Sequence, residues 1–92
     1  MKKKYTFEPI ANNNQPGCEF GYRFEATEYN PSYDYCTHFL NLRKVQIILE
    51  NKFPSIKFSK PLPHHFRFDA AADEAYFQLW YPNNWVEVNT SL

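Results

Sequence analysis

The side chains best equipped for metal or nucleophile chemistry are few: His38, His64, His65, Cys18 and Cys36. A structural or catalytic metal needs three or four such ligands converging, typically at spacings such as CxxC, HxxxH or HExxH. None of these spacings occurs. Cys36 and His38 are two residues apart, and on a helix their side chains diverge by about 200°, so one ion does not reach both. His64 and His65 are adjacent and on a strand point to opposite faces. The expectation is no metal and no cofactor.

Cys36 near the start of a helix would gain some acidity. Its base would have to be His64 or His65, from across the fold. The helical wheel instead sets Cys36 beside apolar residues, where cysteine acts as a small hydrophobe. Two glycines, Gly17 and Gly21, do not build a phosphate-cradling loop, and there is no GxSxG. The carboxylate pairs Asp73–Glu74 and Glu25/Glu28 fall where loops and strand edges are expected, as solvated surface. Nothing in these groups makes an enzyme.

The remaining chemistry is that of rings. Nine Phe, seven Tyr and two Trp stand among 92 residues. Two uses compete. In KYTF, YRF and HHFRF, rings interleave with basic groups, as in sheets that stack single-stranded bases. Against that, ten basic residues balance ten acidic ones, and a strand-binding groove needs clustered cations. Protein recognition is favoured, because Tyr, Trp, Phe and Arg are the residues enriched at interface centres. Single-stranded nucleic acid is the alternative partner.

The elements that position these groups follow from periodicity. Lys3 to Ile10 alternates as a short strand closed by Pro9, and 11–17 is a loop. Cys18 to Thr27 alternates over ten residues, with Cys18, Phe20, Tyr22, Phe24 and Ala26 on one face and Glu19, Arg23 and Glu25 on the other. The two strands make a hairpin. Asn30 and Pro31 suit an N-cap and first helical position, and Pro54 ends the run, which predicts one helix over 31–52. Its core stripe is Tyr35, Phe39, Leu42, Val45, Leu49 and Phe53. A second stripe of Tyr33, Cys36, Leu40 and Ile47 is a candidate dimer face, which would make the chain a homodimer. Ile56/Phe58 and Phe66/Phe68 read as strands. AAADEA reads as a connection, Ala75 to Tyr81 as a strand, 82–84 as a turn and Val86/Val88 as a last strand. The predicted order is β-β-α-β-β-β-β: an α+β fold, an antiparallel sheet with one main helix packed on one face, and 1–92 a single globular domain.

On that reading Ala75, Phe77, Leu79 and Tyr81 face the helix, while Tyr76, Gln78 and Trp80 face away and Trp85 follows the turn. Tyr76, Trp80 and Trp85 are then candidate anchors for a protein partner, with Gln78, Arg67 and Glu87 at the rim. The competing reading has the three rings covering a second small core made by loops and the amino-terminal arm. No apolar run approaches membrane length, and MKKK is followed by no apolar segment of a leader. A cytosolic location is expected, with both cysteines as free thiols. These features together suit a small inhibitor, immunity-type protein or adaptor, of a bacterium or one of its mobile elements, that occludes a partner's surface.

Overall fold

The computed structural model describes residues 2–10, 20–27, 35–60 and 62–89, and for 35–38 the backbone alone. Five strands and two helices follow in the order β1 (Lys2–Pro9), β2 (Tyr22–Ala26), α1 (Tyr35–Lys52), β3 (Ile56–Phe58), β4 (His65–Phe68), α2 (Ala71–Trp80) and β5 (Val86–Asn89), with one 3-10 turn at Tyr81–Asn83. The class is α+β: one antiparallel sheet, order β3-β4-β2-β1-β5, with the helices layered on it.

The register explains why one face is all rings. Tyr5 pairs with Ala26 and Val86, Phe7 with Phe24, Tyr22 with Phe66, Phe66 with Phe58, and Phe68 with Ile56. Residues opposite one another in an antiparallel ladder share a face. Alternation within five short strands therefore gathers Tyr5, Phe7, Tyr22, Phe24, Ile56, Phe58, Phe66, Phe68, Val86 and Val88 on one side. Lys4, Thr6, Glu8, Arg23, Glu25, Lys57, His65, Arg67 and Glu87 stand on the other, open side.

Helix α1 supplies Leu42, Val45 and Leu49 to the core, and Phe53 beyond its last turn. Lys52 closes the helix at the end where a cation favours the dipole. The stripe predicted for α1 is met at these positions; Phe39, at its margin, is exposed, and the side chain of Tyr35 lies outside the described residues. Buried Gln46 is satisfied at both ends: its Nε2 donates to the Pro63 carbonyl at 2.7 Å and its Oε1 accepts from Arg43. The predicted helix start at 31–34 lies outside the described residues.

The structure replaces the strand expected over 75–81 with a helix, α2, that also takes in the expected connection AAADEA. Ala71, Ala72 and Ala75 have high helix propensity, and Asp73 and Glu74 occupy the first turn, where carboxylates oppose the dipole's positive end. Alanine and period-two residues joined into one ten-residue unit satisfy a helix better than a short strand cut from them. The correct order is β-β-α-β-β-α-β. Phe77 is the single buried residue of α2. Its ring packs within 5.0–5.6 Å of Tyr22, Phe68, Tyr81, Phe66, Phe7 and Phe53. These contacts pin α2 over the ring-bearing face of β1, β2 and β4.

Candidate functional site

Polar bonds fix the orientation of α2 about Phe77. The Tyr22 hydroxyl donates to Glu74 Oε1 at 3.0 Å and accepts from Gln78 Nε2 at 3.0 Å. Burial, first of all, raises the Tyr22 pKa above its ordinary value, and the Glu74 carboxylate adds to this against the Gln78 donor. At the start of the helix, Ser55 donates its backbone N–H to Asp73 Oδ2 at 2.8 Å, and its hydroxyl accepts from the Ala70 N–H at 3.0 Å. With Glu74, Phe77 and Gln78 committed inward or sideways, the opposite face turns to solvent. That face is Ala72, Ala75, Tyr76 and Leu79, the i, i+3, i+4, i+7 positions of one helical stripe. It contains no charged residue. Leu79 is 83 % exposed and Tyr76 52 %. The Lys52 ammonium stands 5.2 Å from the ring centroids of both Tyr76 and Trp80 and marks one border of the stripe.

The six residues expected to form one partner-binding surface are distributed over two. Tyr76 and Trp80 remain neighbours, one helical turn apart. Trp80 is half-buried, its ring 5.4 Å from Phe7 and 5.6 Å from Phe53, so it belongs in part to the core. Gln78 does not lie between them; on a helix it turns to the far side, where Tyr22 holds it. Arg67, Trp85 and Glu87 are on the open face of the sheet, away from α2. Trp85 is 47 % exposed, carries Lys4 Nζ over its ring at 3.8 Å and donates Nε1–H to Glu87 at 3.1 Å. Arg67 is three strands from Glu87 in the sheet and pairs with Asp69 at 2.6 Å.

Leu79 escaped the sequence reading, which set it inward beside Phe77. The signal that finds it is the spacing 72-75-76-79, legible once AAADEA is joined to YFQLW in a single helical run. On α1, Leu40 and Ile47 of the candidate dimer face are exposed, as is Ile48; Tyr33 and the side chain of Cys36 lie outside the described residues. The rings of KYTF, YRF and HHFRF, namely Tyr5, Phe7, Tyr22, Phe24, Phe66 and Phe68, all turn to the helices, so the open sheet face presents mainly alternating charges. There Arg23 pairs with Glu8 and Glu25. His65 stands beside Arg23, and burial, followed by the Arg23 charge, lowers its pKa.

No group of three His, Cys, Asp or Glu side chains among the described residues is placed to hold a metal ion. No helix among them is long and apolar enough to cross a membrane. No protein-family model, curated protein or solved structure matches this chain. Function is therefore read from the surface itself.

Proposed function

We propose that this chain is a non-enzymatic, cytosolic protein-binding module, an inhibitor, immunity-type protein or adaptor, that occludes a surface of a partner protein. The observation that carries this reading is the stripe Ala72, Ala75, Tyr76 and Leu79: four uncharged positions at helix-in-groove spacing on the solvent side of a helix whose other side is anchored. Tyr76 and Leu79 are the anchors that enter the partner's groove. The two alanines let the backbone approach closely. Tyr76 and Trp80 both pack edge-on against Phe53, and Lys52 forms part of the rim. Burying Leu79 and Tyr76 removes from water the largest exposed apolar side chains of α2, at about 1.5–3 kcal/mol for a side chain of this size.

Single-stranded nucleic acid fits the surface less well, since the rings that would stack bases are covered and the open face mixes both signs of charge.

The test is affinity capture from the source cell with the wild-type chain and with Leu79→Glu, both checked for folding by circular dichroism. A partner held by the wild type and lost from L79E supports the reading. A partner held equally by both removes α2 as the contact.

A further inference from the structure

A second surface carries a different recognition chemistry. Strand β3 is one edge of the sheet, and α1 runs alongside it, leaving an open groove of about 610 Å³. The groove is lined by Arg43, Gln46 and Glu50 of α1, by Ile56 to Lys60, and by Pro54 and Pro63. No residue of α2 lines it.

The hydrogen-bond phase of the edge is determined by two flanking bonds. Ser59 donates its N–H to the His65 carbonyl and Asp69 donates to the Ser55 carbonyl. With Lys57 opposite Arg67, residues 55, 57 and 59 direct their backbone groups to β4. The alternation of an antiparallel ladder then directs those of Ile56 and Phe58 outward, into the groove. The Ile56 N–H is used by the Phe53 carbonyl. The Ile56 carbonyl and the Phe58 N–H and carbonyl are therefore not directed at β4. Arg43, Lys57 and Lys60 outnumber Glu50 around them, and Arg43 itself lies within 3.5 Å of Glu50.

We infer that the β3 edge takes up an extended acidic peptide of a partner protein as a sixth strand. Main-chain bonds to Ile56 and Phe58 supply affinity, apolar side chains of the peptide lie toward Ile56 and Phe58, its carboxylates meet Lys57 on the opposite face, and Lys60, just past the strand, adds positive charge to the groove. Alternation along a strand makes the preferred ligand one in which acidic and apolar residues alternate. The bland account of the same lysines and prolines is edge protection, in which they keep other strands away; that account predicts no binding. This site is independent of the α2 stripe.

The probe is a fluorescein-labelled hexapeptide alternating Val and Glu, followed by fluorescence anisotropy and by amide hydrogen exchange. Saturable binding is expected, with exchange of the Phe58 amide slowed about tenfold. The same peptide N-methylated at alternate residues should not bind, and a Val–Lys hexapeptide should bind at least about tenfold more weakly. K57E/K60E, both exposed positions, should reverse that charge preference while keeping its circular dichroism spectrum, and L79E should bind the peptide as the wild type does. No binding at millimolar peptide, binding unaffected by N-methylation, or occupation of the edge by a second copy of the chain in sedimentation would each overturn the inference.

Discussion

Phe77 and Leu79, two positions apart on one helix, have opposite duties, and substitution separates them. Phe77 fills the centre of the ring cluster and is fully buried. Phe77→Ala leaves a cavity among aromatic neighbours that are held by several elements, and a loss of about 3–5 kcal/mol is expected in urea titration. Leu79→Glu touches nothing in the core and should move stability by less than about 0.5 kcal/mol. Trp80 is intermediate: Trp80→Ala removes the ring that packs on Phe7 and Phe53, and should cost about 2 kcal/mol of stability in the same titration, whereas Tyr76→Ala should cost far less. The pH dependence belongs to His65. Its proton affinity is lower folded than unfolded, so the unfolded chain binds protons first as pH falls. Stability contributed by neutral His65 is complete above the ordinary value of 6.5 and is lost as pH drops below it. Midpoints measured at about pH 7.5 and pH 5 should differ more for the wild type than for His65→Gln.

At the scale of elements, α2 is the unit on which the proposed function depends. It is ten residues long, too short to be stable alone. Its order comes from Phe77, from the Tyr22 hydroxyl bridging Glu74 and Gln78, and from Asp73 closing its start on Ser55. Tyr22→Phe keeps the ring and removes both side-chain bonds. A loss of about 1 kcal/mol is expected, with hydrogen exchange of α2 amides rising more than that of β1 and β2. Equal acceleration throughout would mean that α2 opens only with the whole molecule.

At the scale of the molecule, the sheet divides the surface by chemistry. One face is closed by helices over rings, one is open and charged, and α2 and the β3 edge offer distinct kinds of contact. Much of this was legible from residue order. Alternation identified β1, β2, β3, β4 and β5, and Pro54 marked the end of α1. The sheet order and the register that collects Tyr5, Tyr22 and Phe66 on one face were not legible, because they depend on pairings between strands far apart in the chain. Tyr76, Trp80 and Trp85 were recognised as unusual, but their grouping was not. A period-two reading and a helical reading both fit residues 75–81; the alanine-rich start at Ala71 and Ala72 favours the helix, and the fit of Phe77 against four separate elements completes the choice. The pattern of residue types by itself determined the α+β class, the balance of charge and the absence of a recognisable catalytic motif, since these follow from local propensity and composition. Tertiary structure alone decided which rings face water and which strands, β3 and β5, stand at the edges of the sheet, since exposure and strand order are properties of what packs across the chain.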